Sequence, residues 1–536
     1  MPLRLLLLIT LFVGLTIVPS AHAAEFTVND PGNTSDSAPG NGVCATSGGV
    51  CTLRAAIAEA NALAGDDAIA FGTGITTIAI ASQLTISSNI TIQGAGVTVD
   101  NTGSGRVFRV TSGDVIINGL TITGGSTTNG AGILISNAAS TLTLQGGARV
   151  IGNDASGNGS GIHATSGAQV TITGAGTEVA ANQGATNGAG IYAAGGADIL
   201  LQNGAAVRDH TGTTTRGSGI YVTGAATTLT IDNAVVSGNT GATNGGGLYA
   251  TTSAVVTMRN GAQVTGNDAT GSGSGLFASG NSQITIADAG TAIAANQGAT
   301  NGAGIYAAGG ADILLQNGAA IRDHTGVTTS GSGIYVTDAG TTLTIDNAVV
   351  SGNTGATNGG GIFLTRGAQV TLQNGAALTQ NRANTRGGGV YVTGTGSALN
   401  IFDSRLTFNN SGNDGDAIFQ ANGSTAMTNS CVVCNGDNAV DRSGGTVPLA
   451  LGGNWWGTAW GPFYSTSTQG LQCSSGDSLD PANTLANYGM AVTTPALTCG
   501  STPPLGNWLT TPTAGCTGAE IVTPSTLGHA RSCVGP

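Results

Sequence analysis

The chain has 536 residues and a net charge of −12, with 91 glycines against 13 prolines, 8% charged residues and 4% aromatics. So much glycine with so little proline excludes collagen, and so few charges argue against intrinsic disorder. The acidic balance disfavours nucleic acid, acidic sugars and anionic membranes as partners, since these need a basic stripe and the only basic residues are fifteen arginines.

Residues 1–23 read as an export signal: Arg4, an apolar run from Leu5 to Val18, and Ala21-His22-Ala23 as a small-x-small cleavage site. The mature chain is expected to begin at Ala24 and to be secreted or held at the cell surface. No later stretch is apolar enough to cross a bilayer, so no transmembrane segment is expected in it. Residues 24–75 do not repeat and are expected to form an N-terminal cap. EFTVND from Glu25 reads as a first strand. Cys51–Gly65 holds good helix formers, with Leu53, Ala56, Ile57 and Ala60 on one face and Gly65 as a stop.

From Gly130 a phrase recurs: Gly-x-Gly, an aliphatic residue, then usually an aromatic one. It begins at Gly130, Gly159, Gly188, Gly217, Gly245, Gly273, Gly302, Gly331, Gly359 and Gly387, with a degraded copy at Gly415, in steps of 28 or 29 residues. A period this regular marks one unit stacked on itself. One unit, such as Gly188 to Arg216, holds GAGIYA, ADILLQ and AAVR separated by Gly and Asn; three short strands and three turns fit, and a useful helix does not. The reading is an all-β solenoid over 76–435: a right-handed parallel β-helix, three strands per coil, with a cap and loop-rich tail over 436–536.

Three columns follow from the period. The aliphatic one is Ile133, Ile162, Ile191, Ile220, Leu248, Leu276, Ile305, Ile334, Ile362, Val390 and Ile418, expected inside. Alternation sends the next residue outward: Tyr192, Tyr221, Tyr249, Phe277, Tyr306, Tyr335, Phe363, Tyr391 and Phe419, expected as a stripe of roughly 40 Å. Stacking between coils accounts for these rings; a flat amphipathic stripe for glycan or protein contact is the functional reading. Asn153, Asn182, His210, Asn239, Asn267, Asn296, His324, Asn353, Asn381 and Asn409 form the third column, expected at tight turns whose left-handed backbone Asn tolerates. Residues 180–249 and 294–363 are nearly the same text, differing at seven of seventy positions, so a four-coil block has been copied.

Eight cysteines lie outside the repeats, at Cys44, Cys51, Cys431, Cys434, Cys473, Cys499, Cys516 and Cys533. In an exported chain they read as disulfides at the two ends, where a coil lacks its stacking partner; proximity would pair 44 with 51, 431 with 434, 473 with 499 and 516 with 533, with connectivity open. Asn454-Trp455-Trp456-Gly457 and Trp460-Gly461-Pro462 supply large aromatics to cover the last coil, a sugar platform being the alternative.

Three features carry a resemblance. Cys51-Thr52-Leu53-Arg54-Ala55-Ala56-Ile57 with Glu59-Ala60-Asn61 resembles the CSLREA-type N-terminal domain of secreted bacterial proteins, with Ala55 where the family has Glu. The GGGIY and SGN phrases are similar to repeats of polymorphic outer-membrane proteins and autotransporter-like adhesins, and NWWG…GP looks like the phrase that closes bacterial β-helices. The resemblance implies a pectin-lyase-like parallel β-helix and brings no catalytic residues with it.

The densest titratable groups are Arg208-Asp209-His210 and Arg322-Asp323-His324. A lyase or hydrolase needs one assembled set of carboxylates and bases, whereas copying a coil duplicates structural residues automatically. Asn153-Asp154 and Asn267-Asp268 lack calcium-loop spacing, and His163 and His529 stand alone. No catalytic residue, metal or cofactor is therefore assigned. The reading is a non-enzymatic, adhesin-like binding rod; the alternative is a polysaccharide lyase or glycoside hydrolase acting on extracellular carbohydrate. An ice- or mineral-binding face lacks a Thr-x-Thr row on every coil.

Overall fold

The computed structural model describes residues 23–212, 216–326 and 329–433, then 435–436, 439–442, 450–451 and 454, and the backbone of 463–464 and 478–479. Within the coil that starts at Gly188, the chain forms strands Ile191–Ala194, Asp198–Gln202 and Ala206–Arg208. Each joins its copies in a separate parallel sheet, and these three walls contain 16, 15 and 14 strands respectively. The fold is the expected right-handed parallel β-helix. One feature was not anticipated: short fourth strands at the corner between the third and first walls form two small sheets, 126–129 with 154–158 and 183–184, and 242–244 with 268–272 and 297–298.

Register follows the sequence period. Ile162 pairs with Ile191, Ile191 with Ile220, and Ile220 with Leu248, and the series continues to Val390 with Ile418. Alternation buries Ile191 and Ala193 and turns Tyr192 outward; in the next strand Ile199 and Leu201 go in and Leu200 out. The core is thus a bundle of aliphatic rows running along the rod axis. Burying each Ile or Leu contributes about 1.5–3 kcal/mol, and truncating one to Ala costs about 2–5 kcal/mol.

The Gly-x-Gly phrase has a steric cause. Gly188 takes a left-handed φ of 59°, which turns the chain into the first wall. A Cβ on Gly190 would lie 2.4 Å from the carbonyl oxygen of Gly219 on the next coil and 2.5 Å from Nε2 of His210. The second glycine makes room for the neighbouring coil and for the side chain of the asparagine column.

At the N-terminal end a helix, Leu53–Ala62, covers the open coil with Leu53, Ala56, Ile57 and Ala60 buried, the face expected from the sequence. It is shorter than Cys51–Gly65. Thr52 Oγ1 accepts the Ala55 amide at 3.1 Å and fixes the start, and Leu63 is already extended, leaving Gly65 outside the helix. Arg54 donates to the carbonyls of Ser82 and Gln83 and to Asn33, tying the helix to the first coil. Glu59, fully buried, accepts the amides of Gly40 and Gly42. The second wall already starts within the segment expected as a cap, since Glu25–Val28 pairs with Asp66–Phe71 and that strand with Asn89–Gln93.

Cys44 and Cys51 form a disulfide beside this helix, as proximity suggested. Cys431 is also oxidised. Cys434, Cys473, Cys499, Cys516 and Cys533, with Trp455, Trp456 and Trp460, lie outside the described residues.

Candidate functional site

The outward aromatic column is a continuous stacked file. From Tyr192 to Phe419, successive ring centroids lie 4.6–5.3 Å apart with interplanar angles of 4–16°. His163 opens the file, 4.8 Å from Tyr192 and tilted 31°. Because the first wall repeats one rung at a time, each ring is carried directly over its copy. Two arginines from the residue before the phrase join in: Arg216 sits 5.9 Å over Tyr249, and Arg386 4.8 Å over Phe419.

This geometry is the stacking between coils expected of the column. Ring faces are consumed by neighbouring rings, so ligands can reach only edges and hydroxyls. Tyr221, Tyr249 and Phe363 are 7–9% exposed and Phe419 is fully buried, while Tyr192, Phe277, Tyr306, Tyr335 and Tyr391 are half-buried. What remains is a line of tyrosine hydroxyls interrupted at Phe277 and Phe363. Burial pushes the Tyr192, Tyr249, Tyr306, Tyr335 and Tyr391 phenols above their usual range, so they stay neutral donors and acceptors.

The asparagine column is not what its residue type suggested. Asn153, Asn182, Asn239, Asn267, Asn296 and Asn353 are fully buried and point into the rod. The left-handed residue is the one before each, such as Gly152, Ala181, Asp209 and Gly238. Where the next slot is also Asn, the side-chain nitrogen donates to that side-chain oxygen, as in Asn239 to Asn267 at 2.8 Å and Asn267 to Asn296 at 3.0 Å. The same oxygen accepts the backbone amide of the residue one rung back, as Asn267 does from Asn239 at 3.1 Å. Asn182 and Asn296, which precede histidines, donate instead to the carbonyls of Val150 and Val264. Asn435 extends the ladder beyond Asn409, at a spacing of 26 that the strict period passes over.

His210 and His324 take two slots of this ladder. Nδ1 of His210 accepts the Asn182 amide at 3.0 Å, and Nε2 faces the Val179 carbonyl at 3.1 Å, a pattern that a neutral Nε2–H imidazole satisfies. His324 repeats it with Asn296 and Ile293. Burial lowers both imidazoles to about 4, against a smaller upward pull from the backbone partners.

The remaining sequence candidates do not assemble. In Arg208-Asp209-His210 the histidine is inside, while Arg208 and Asp209 pair with each other on the outer surface, Arg208 also reaching Glu178 at 2.6 Å. The copy at Arg322-Asp323-His324 is split in the same way. Asn153 and Asn267 face the core while Asp154 and Asp268 are exposed, so neither doublet offers a joint cation site. His163 is held below its usual range by burial, partly offset by the Asn158 carbonyl. His529 lies outside the described residues. Among the described residues no three His, Cys, Asp or Glu side chains gather as a metal site, and no helix is long and apolar enough to cross a membrane.

Two features escaped the sequence reading. Arg216 and Arg386 stand in a column that holds Asn, Ser or Asp in other coils, so only the register places them over rings. Asp67, buried near the first strand, has no repeat to flag it. No protein family, curated protein or solved structure matches this chain.

Proposed function

We propose that this chain is an exported, adhesin-like rod that holds an extracellular glycan or a surface protein along the edge of its aromatic file. The observation that carries this reading is the continuous file of stacked rings, nine steps and roughly 45 Å long, half-buried at Tyr192, Phe277, Tyr306, Tyr335 and Tyr391, on a regular wall. An extended polymer lying along the rod meets the hydroxyls of Tyr192, Tyr221, Tyr249, Tyr306, Tyr335 and Tyr391, with ring edges at Phe277 and Phe363 between them and Arg216 and Arg386 beside the line. Export rests on the features of residues 1–23, and the disulfide at Cys44–Cys51 suits an oxidising compartment. The CTLRAAI helix in its capping position supports kinship with CSLREA-type secreted proteins.

A glycan array and a surface-protein pull-down test the reading with a variant that leaves the stack intact. Changing Tyr192, Tyr221, Tyr249, Tyr306, Tyr335 and Tyr391 to Phe removes only hydroxyls and is expected to weaken binding at least about ten-fold, a loss of ~1.4 kcal/mol shared over several hydrogen bonds. Binding that survives this change sinks the reading. So does turnover of acidic polysaccharide, followed as unsaturated product or reducing ends, that is lost when His210 and His324 are replaced.

A further inference from the structure

Near its first strand the second wall buries a carboxyl group with one oxygen unpartnered. Asp67 lies on the inward face of strand Asp66–Phe71, beside Ile69, and is 1% exposed. Its Oδ1 accepts the backbone N–H of Ala24 at 2.8 Å, and its Oδ2 has no hydrogen-bond partner. None of the described ion pairs includes Asp67. A buried carboxylate with one amide bond and one orphan oxygen is costly and calls for a cation. The residue it touches is the one at which the mature chain is expected to begin, and Ala23, just before it, is exposed.

We infer that hydrolysis of the Ala23–Ala24 bond makes the Ala24 α-ammonium the partner of the Asp67 carboxylate, and that this ion pair locks the first strand onto the solenoid. The inference rests on the export reading above. A signal peptidase adds water across the peptide bond: Ala23 leaves with the new carboxylate, and the freed Ala24 amine takes up a proton. The single amide hydrogen of the unprocessed chain becomes an ammonium with three, enough to serve both carboxylate oxygens. The lock sits where it has most effect, because Glu25–Val28 is the edge strand of its wall and packs under the capping helix.

The chain contains no lysine, so after processing the α-amine at Ala24 is its only primary amine and can be read selectively. The test is labelling of the secreted full-length protein with an amine-reactive ester near pH 7.5, followed by intact mass. The folded protein is expected to label at least about ten-fold more slowly than the same protein in urea, the effect of one unit in proton affinity. Asp67→Asn should restore fast labelling. If Asp67→Asn fails to fold, insertion of one Ala before Ala24 gives the same answer by carrying the ammonium ~3.8 Å away, with faster hydrogen exchange at residues 25–28. Equal labelling folded and unfolded, or slow labelling that persists in both variants, overturns the lock. Cell fractionation with terminal sequencing separates the two readings: an exported chain with a start other than Ala24 overturns the lock alone, whereas a chain that is not exported overturns both.

Discussion

Excising residues 250–363 is expected to leave a folded rod about 19 Å shorter, with a thermal midpoint within a few degrees of the parent. The excision removes 114 residues, the offset between the two copied blocks (294 less 180), and four rungs at ~4.8 Å each. Tyr249 then precedes Leu364, and every contact across the junction already exists in the parent in equivalent form. Tyr249 meets Tyr391 where Phe363 did, and Leu248 meets Val390 where Ile362 did. The strand 228–232 receives 369–373 in place of its identical copy 342–346, and Asn239 takes the place of Asn353 against Asn381. Excision of residues 250–349, which is out of phase by half a coil, drives aliphatic residues onto the surface and polar ones into the core; it is expected to yield no soluble rod. Circular dichroism and small-angle scattering on the two products make the comparison, and similar behaviour of both would contradict a stacked solenoid.

The second large effect is acid instability set by the two inward histidines. Above about 6.5, their ordinary value, neither the folded nor the unfolded chain protonates them. Between that value and about 4 the unfolded chain binds protons that the folded core refuses, so stability falls as pH falls, and below about 4 this contribution levels off. Each imidazole accounts for a loss on the order of 3 kcal/mol across the window. The charges nearest each ring are Asp209 and Arg208, or Asp323 and Arg322, which pair with one another outside the wall and so offer the imidazolium little net relief. Replacing both His210 and His324 by Asn restores the side chain used in neighbouring slots. Urea midpoints at pH 7 and pH 4.5 should differ clearly less in the double variant than in the parent. An equal acid loss in both would place the sensitivity elsewhere.

The copying explains why the histidines come as a pair. Blocks 180–249 and 294–363 carry the same ladder, so one His substitution in an ancestral coil would be inherited twice. That is also why duplicated titratable triplets were a poor sign of an active site. The wall divides each triplet, with Arg and Asp outside and His inside.

The architecture was legible because the period is a physical repeat: residues 28 or 29 apart are neighbours across one rung, so type conservation at Ile191, Ile220 and Leu248 reports packing directly. Alternation separated Ile191 from Tyr192 correctly for the same reason. The asparagine ladder was placed in the right column and at a turn, but the left-handed residue is the one before it, and the sequence reading left its inward orientation open. A polar residue at a turn is ordinarily outside, and the hydrogen bonds each inward side chain makes, to the next Asn or to buried backbone groups, are what make it tolerable. The signal that could have shown this is the second glycine of each phrase, which leaves a space that only an inward neighbour needs. The aromatic column and its stacking between coils were read from the period, whereas the exposure left to each ring depends on rotamer and neighbours, which residue type does not report. Asp67 has no copy, and its meaning appears only when Ala24 is beside it in space.

The central claim is that each side chain meets its own copy one rung along. Thiol cross-linking tests it most directly, with Cys at Thr230 paired either with Cys at Thr257, its register partner, or with Cys at Thr285, a further rung away. The stacked rod predicts near-complete oxidation to an intramolecular disulfide for the 230/257 pair, at about 4.8 Å between strands, and almost none for 230/285 at twice that distance. Equal yields, or cross-linking of 230/285 alone, would contradict it.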